Sequence, residues 1–297
     1  MAGGVDGAQQ GAVAVVVAAL RDVVGLVLPV ACAGCGLPDV PLCVACTALL
    51  HGPPRRCEDR AGRLDRLDGR PLPVWALADA VGPVRETVVQ WKDRGRADLT
   101  PVLGAALAAA AGLVVPGLVG GGGPGAAGAI LVVPAPSTAA ARRRRGEHRV
   151  GRLAVLVARR MAVAGVPAVA VEALVRRGAG DQAGRGRAQR GGVREEVALH
   201  RRGRRVLATP GTASSGGPPR VLLVDDVLTT GATLAASRRV LEGSGASVVG
   251  ALVLASTPPP GTSVPRRPGG GVGTAGSRPE EDTARGVPAD DGGGGPG

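Results

Sequence analysis

The chain has 297 residues and a formal net charge of +12, and aromatic residues make up only 1% of it, with no Phe and no Tyr. Small aliphatic residues must therefore build the core. The basic charge favours phosphate-rich partners, but the lack of stacking platforms disfavours autonomous binding of single-stranded nucleic acid. No stretch shows the roughly 18 apolar residues of a membrane span, so we expect a cytoplasmic protein without membrane contact.

The first part of the chain is predicted to be disordered over residues 1–10 and to form a helix and a small cysteine module over residues 11–58. Val13–Leu28 carries apolar residues nearly all round and is interrupted by Arg21 and Asp22. Such a pattern is typical of a helix that packs on the rest of the protein. It lacks the positively charged start of a signal peptide.

Four cysteines form two Cys-x-x-Cys pairs, Cys32 with Cys35 and Cys43 with Cys46. This spacing lets four thiolates converge on one tetrahedral ion, for which zinc is the first choice, and four protein ligands make a closed, structural site. An iron–sulfur cluster would use the same ligands, whereas two disulfides are disfavoured by reduced cytosolic thiols. Cys57 stands alone and is expected to be a free thiol, with a fifth-ligand or redox role as the alternative.

Residues 72–257 alternate apolar runs with helical patterns, which is typical of an α/β domain with a mostly parallel sheet. Polar or Gly-rich stretches at 53–73, 116–128 and 206–219 are predicted to be a linker or hairpin, a flexible loop and an insertion. From residue 258 to residue 297 the Pro/Gly-rich composition predicts a disordered tail. The predicted strands are Val74–Val81, Ile130–Val133, Ala168–Leu174, Val221–Val224 and Ser247–Ala255, and the predicted helices are Val84–Lys92, Leu99–Leu113, Val150–Ala164 and Leu234–Leu241.

Two acids, Asp225 and Asp226, stand at the carboxyl end of the predicted strand Val221–Val224, and a small hydroxyl-rich loop follows them. The free amides of the next helix would point at this loop, so the order of elements predicts an anion site. Carboxylates accept hydrogen bonds from sugar hydroxyls and can help to hold Mg²⁺. A receiver domain also ends a strand in paired acids, but too little chain follows here to complete one.

The segment 221–233 resembles the binding motif for 5-phosphoribosyl 1-pyrophosphate (PRPP) in type I phosphoribosyltransferases. With the cysteine pairs before it, the chain resembles a ComF family protein, a competence-associated group, over roughly residues 26–257. Many relatives carry a further cysteine pair, of which only Cys57 is present. The resemblance implies a type I phosphoribosyltransferase fold, a mostly parallel sheet flanked by helices, joined to a small zinc-binding module. It also implies a PRPP site formed by Asp225, Asp226, Val227, Leu228, Thr229, Thr230, Gly231, Ala232 and Thr233, with the acids on the ribose hydroxyls and residues 229–233 on the 5′-phosphate.

The same resemblance places the diphosphate beside two other segments. Arg145 and Gly146 match the family's Arg-Gly-Phe-Asn-Gln block, from which residues 147–149 depart, and Gln182 and Arg190 match a mobile hood over the site. Lys92 lies in a family-like segment and is either a solvated helix end or a group facing phosphate. His148 is a general-base candidate without an identified partner.

The resemblance implies PRPP as the ligand, bound with Mg²⁺, and transfer of phosphoribose to a nitrogenous acceptor with release of pyrophosphate. No residue identifies the acceptor or a catalytic base. The alternative is a nonenzymatic protein that senses PRPP or assists DNA uptake, with single-stranded DNA or a helicase as its partner. The altered block at 145–149 favours this alternative, and the shortage of aromatic residues disfavours DNA binding by the chain alone.

Overall fold

The computed structural model describes residues 30–64, 71–119, 129–137, 148–177, 196–209 and 217–259. All of them belong to a compact unit, Met1–Thr262, that is separate from Ser263–Gly297. The predicted helix Val13–Leu28 and the predicted disorder at residues 1–10 lie outside these ranges, as does the predicted tail from residue 260 onward.

A mostly parallel sheet forms the centre of the described structure. In chain order the strands are β1 Arg55–Arg56, β2 Val74–Asp79, β3 Ile130–Pro134, β4 Ala168–Ala170, β5 Leu174–Arg177, β6 Glu196–Leu199, β7 Arg220–Leu228 and β8 Ser247–Ser256. Six of them form one sheet in the order β1-β2-β8-β7-β3-β4, and within it only the pairing of β1 with β2 is antiparallel. The carboxyl ends of β2, β8, β7, β3 and β4 therefore meet at one edge.

Helices cover both faces of this sheet. They are α1 Val44–Ala48, α2 Gly82–Asp93, α3 Thr100–Val119, α4 Arg149–Val163, α5 Arg201–Leu207 and α6 Ala232–Glu242. Trp91 of α2, Leu103 of α3 and Leu153 of α4 share one core with the sheet, and Leu234 of α6 belongs to the core on the other face. The expected architecture, a mostly parallel sheet flanked by helices with an amino-terminal cysteine cluster, is confirmed.

Strand β7 is buried on both faces, as its apolar run predicts. Val221, Leu222, Leu223 and Val224 are each 0% exposed, and their side chains alternate between the two cores. The strand also extends beyond the apolar run, because Asp225, Val227 and Leu228 keep their register with β8. The two acids therefore lie inside β7, just before its last two residues.

Helix α3 runs to Val119 and so takes in the start of the loop predicted at 116–128. Two further segments also differ from the sequence prediction. The predicted strand Ala168–Leu174 is divided, because β4 pairs with β3 whereas β5 leaves that sheet and pairs with β6 in an antiparallel hairpin. Helix α5 was not predicted, since its four arginines and central glycine give no apolar period. Gly203 allows it to dock: a Cβ there would lie 2.6 Å from the Cα of Ala173.

The segment between the cysteine module and β2 is more than a linker. Two 3₁₀ turns, Glu58–Arg60 and Gly62–Leu64, cross the carboxyl edge of the sheet. Ala61 and Leu64 are buried, and the Arg60 guanidinium donates to Asp79 of β2 and to Ser256 Oγ of β8. We call residues 58–64 the strap.

One helical segment, Ala97–Val115, is long and apolar enough to cross a membrane by length and composition, so the expectation that no stretch has this character is wrong. In the structure 61% of its most apolar window is buried. Leu103 and Leu107 are 0% exposed and share a core with Leu153 of α4. The segment packs as a core helix of the α/β unit.

Candidate functional site

The four paired cysteines form one cluster. The sulfur atoms of Cys32, Cys35, Cys43 and Cys46 all lie within 4.8 Å of one another, and Cys35 Sγ is 3.6 Å from Cys43 Sγ. A disulfide requires about 2.05 Å, so the cluster is not two disulfides, and all four thiols are free. Zn–S bonds of about 2.3 Å in a tetrahedron would place the sulfurs close to the observed separation. The donor set fits a structural zinc ion.

The backbone favours a thiolate at Cys32, whereas burial and the neighbouring cysteines raise the pKa of Cys46. The Cys43 amide donates to Cys32 Sγ at 3.3 Å. Burial alone would raise the pKa of Cys32, but backbone N–H donors outweigh it and lower that pKa to about 6. Gly34 is required by close packing, since a Cβ there would lie 2.8 Å from Cys46 Sγ and 2.9 Å from Thr87 Oγ1 of α2.

The cysteine module is fixed to the α/β unit by polar and apolar contacts. Arg96, just after α2, donates to the carbonyl oxygens of Ala31 and Pro41 at 2.9 and 3.0 Å. Ala33 and Leu50 share the core that contains Trp91. Cys57 lies apart from the cluster, 1% exposed, and burial raises its pKa to about 11, so it is an inert buried thiol.

The acid pair divides between the two faces of the sheet. Asp226 follows Leu222 and Val224 in the strand alternation and lies under α2, where it is 6% exposed. Asp225 is partly buried, and its register partner Val253 belongs to the core on the α6 face. The Asp226 amide donates to Asp225 Oδ1 at 2.8 Å, which fixes the two carboxyl groups relative to each other.

The two carboxyl groups face different charges. Burial and the neighbouring Asp226 raise the pKa of Asp225 to about 7, although Lys92 and Arg176 oppose this rise. Lys92 Nζ lies 2.8 Å from Asp226 Oδ2 and 3.0 Å from Oδ1. Burial lowers the pKa of Lys92, but the attraction of Asp226 prevails and raises it, so the ammonium stays charged. Lys92 is thus not a solvated helix end, because it pairs with the acid, and its phosphate-facing role stays a prediction.

The loop after β7 leaves several donors available. Gly231 is the N-cap residue of α6 and has φ +77°, a conformation that favours glycine. Within the described ranges the amides of Thr229, Thr230, Gly231 and Thr233 have no protein acceptor, and the side chains of Thr229 and Thr230 are exposed. Such a helix start, with hydroxyls beside it, attracts an anion.

Two further residues complete the surroundings of this loop. Arg176 of β5 donates through Nη2 to Thr233 Oγ1 at 2.8 Å. Leu64 of the strap packs on Gly231, because a Cβ built on Gly231 would lie 2.7 Å from Leu64 Cγ. The Arg63 amide donates to the carbonyl oxygen of Thr230. Sequence reasoning missed Leu64 as a site residue, because it is distant in the chain and stands in no motif. Arg176 opens the arginine-rich segment that resembles the family's hood, but its contact with Thr233 was not predicted.

The remaining site predictions are only partly covered by the described structure. Arg145, Gly146, Gln182 and Arg190 lie outside the described residues. His148 has a partner that the sequence did not reveal: its Nδ1 is 3.1 Å from Glu172 Oε1, beyond the carboxyl end of β4.

Three solved structures of adenine phosphoribosyltransferases are similar to this chain. The enzyme from Leishmania tarentolae is 18% identical over 50% of this chain and 70% of its own, with a TM-score of 0.26. The Leishmania donovani enzyme is 16% identical over 71% of this chain and 80% of its own, with a TM-score of 0.29. The Rhodothermus marinus enzyme is 14% identical over 72% of this chain and 88% of its own, with a TM-score of 0.26. Similarity at this level carries no functional conclusion. No family model and no curated protein matches the chain.

Proposed function

We propose that the chain binds PRPP and is a phosphoribosyltransferase-like protein of the ComF type. One observation carries this proposal: Asp225 and Asp226 lie near the carboxyl end of β7, just before a loop in which, among the described residues, the amides of Thr229, Thr230, Gly231 and Thr233 have no protein acceptor. Carboxylates match sugar hydroxyls, and amides at a helix start match a phosphate. A sugar phosphate presents these two kinds of group on one small molecule.

In this proposal each part of the site binds one part of PRPP. Asp225 and Asp226 accept the ribose 2′ and 3′ hydroxyls, and residues 229–233 donate to the 5′-phosphate. Arg176, with Arg145 and Arg190, would offset the charge of the diphosphate, because guanidinium groups bind phosphate oxygens in pairs. Mg²⁺ would enter on the diphosphate oxygens and supply further neutralisation. The cysteine cluster would hold zinc as a structural ion.

The proposed reaction is a displacement at the sugar C1. A nitrogen lone pair on the acceptor forms the new bond to C1, the bond from C1 to the diphosphate oxygen breaks, and its electron pair leaves with pyrophosphate. The acceptor nitrogen then loses a proton to solvent. Holding the ribose and stabilising the leaving charge would supply most of the acceleration, so the chemistry needs no dedicated base.

A second candidate is a nonenzymatic PRPP sensor or DNA-uptake accessory protein. Arg149 occupies the position at which ComF relatives have glutamine, and it is buried, 4% exposed. Single-stranded DNA or a helicase would then be the partner. Arg201, Arg202, Arg204 and Arg205, all exposed on α5, offer a basic surface for such a partner.

Calorimetric titration with PRPP, with and without Mg²⁺, tests the shared premise. Release of pyrophosphate across a panel of nitrogenous bases then separates the two candidates. We expect PRPP binding that Mg²⁺ strengthens, and turnover with at least one base. Binding without turnover would support the sensor, and DNA binding that ignores PRPP and weakens steeply with salt would support the accessory role.

A further inference from the structure

Lys92 is the only lysine among the 36 lysine and arginine residues of the chain. Every other basic position uses arginine, including Arg94, two residues further on, which pairs with Glu86. The two side chains differ in shape: an ammonium group is a compact point charge, whereas a guanidinium group is a planar fork. The one compact charge of the chain therefore lies directly against Asp226.

The contacts of Asp226 show what a compact charge achieves there. Lys92 Nζ reaches both oxygens of this carboxylate, and the Val227 amide donates to Oδ1 at 2.8 Å. A carboxylate offers about four acceptor positions. In the described structure these contacts fill both positions on Oδ1 and one on Oδ2, which leaves one position on Oδ2.

We propose that Lys92 is a positioning residue that holds Asp226 ionised and in place while leaving one acceptor position on Oδ2 for a ribose hydroxyl. This inference rests on the proposed function. The side chain of Asp226 is 8% exposed, so its charge needs a partner. The side chain of Lys92 is 37% exposed. An arginine would also neutralise the acid, but its planar guanidinium is larger than an ammonium group and would take up the space beside Oδ2 that a ribose hydroxyl needs. Lysine is required for sugar binding, and any cation is sufficient for the fold.

The variant Lys92→Arg tests this distinction, with Arg94→Lys on the same helix end as the matched control. We expect Lys92→Arg to keep a thermal midpoint within a few degrees of wild type. Its affinity for ribose 5-phosphate falls roughly tenfold, the equivalent of one hydrogen bond. Its affinity for inorganic phosphate changes by less than about twofold, because the loop at 229–233 is untouched. Arg94→Lys leaves both affinities unchanged.

The outcomes separate this inference from the function on which it rests. A wild-type protein that binds neither PRPP nor ribose 5-phosphate overturns both. If wild type binds these ligands and Lys92→Arg binds them equally well, only the positioning role is overturned. An equal loss for ribose 5-phosphate and inorganic phosphate would mean a general structural role for Lys92 and would also overturn the inference.

A second measurement needs no variant. Growth on ¹³C,¹⁵N-labelled lysine labels a single residue of the protein, Lys92, and leaves its ammonium group unchanged. We expect its NMR signal to shift when ribose 5-phosphate is added and to stay in place with inorganic phosphate. A Lys92 signal that is unchanged by saturating ribose 5-phosphate contradicts the contact with the sugar-binding acid.

Discussion

The cysteine cluster and the acid-and-loop site are built in opposite ways. All four sulfurs come from one short segment, 32–46, and converge through two local turns. The other site gathers Lys92 from α2, Arg176 from β5, Leu64 from the strap and residues 225–233 around the end of β7. The first site therefore depends on a few local contacts around a donor set that fits one zinc ion. The second depends on the whole sheet and the elements packed on it.

The sharpest test of the local site removes one ligand. In Cys32→Ser we expect bound zinc to fall from about one ion per chain to near zero and the thermal midpoint to drop, because structural zinc stabilises small modules by about 10 kcal/mol or more in isolated fingers. Metal analysis and thermal denaturation measure this. Cys57→Ser, which changes a buried cysteine outside the cluster, is the control and should keep its zinc. Full zinc loading of Cys32→Ser would show that the ligand set is wrong.

The assembled site should respond most strongly at Asp225. At pH 8, above the raised pKa of about 7, Asp225→Asn removes a charged acceptor from the proposed ribose contact. Hydrogen bonds to charged groups contribute about 1.5–3 kcal/mol. We expect PRPP affinity to fall by roughly 10- to 100-fold, measured by calorimetry, while zinc content is unchanged. An unchanged PRPP affinity would contradict the assignment of Asp225 to the sugar.

Gly231 tests whether the strap shapes the loop. Gly231→Ala combines a positive φ with a contact on Leu64, and we expect it to destabilise the fold by about 1–3 kcal/mol in chemical denaturation and to weaken phosphate binding. Gly245→Ala is the matched control, since Gly245 has φ +83° but open space at its Cβ. Equal losses in both variants would mean that backbone strain alone, and not Leu64, accounts for the effect.

The last expected effect is a dependence of stability on pH that belongs to Asp225. The folded pKa of Asp225 is raised to about 7 from an ordinary 3.8, so the folded chain holds a proton that the unfolded chain has released between these values. The contribution of Asp225 to the free energy of unfolding is therefore fully present below pH 3.8 and is lost as the pH rises through about 7. We expect stability to fall over this range by at most about 1.4 kcal/mol per pH unit.

Comparison with Asp225→Asn isolates this slope, because all other titrating groups are shared. The variant should be more stable than wild type at pH 8, measured by denaturant titration, and the difference should shrink towards pH 4. Parallel stability curves for the two proteins would mean that Asp225 titrates normally in the folded state.

The sequence was sufficient to predict the parts of the molecule that are local. The cysteine spacing predicted the cluster, and the apolar run Val221–Val224 predicted a strand buried on both faces, because both patterns are complete within a few residues. It also predicted helices at the positions of α2, α3, α4 and α6. The sequence prediction fails where a contact joins segments that are distant in the chain.

Long-range pairs explain what the sequence could not predict. Lys92 and Asp226 are 134 positions apart, and Arg176 and Thr233 are 57 apart. A local sequence pattern does not distinguish a solvated lysine at a helix end from a lysine that forms an ion pair with a buried acid. The hairpin of β5 and β6 was missed for a similar reason: Arg176 lies in an arginine-rich stretch whose composition resembles a loop, and its strand is stabilised by a partner twenty residues away.

The strap has a practical consequence for anyone who wishes to dissect this protein. A truncated version that starts at residue 72 would remove Leu64 from Gly231 and the Arg60 guanidinium from β2 and β8. Such a fragment would lose the strap beside the loop at 229–233 together with the cysteine cluster. A cut just before Cys57 would keep the strap, but it would still remove β1 and uncover the core around Trp91 to which Ala33 and Leu50 belong.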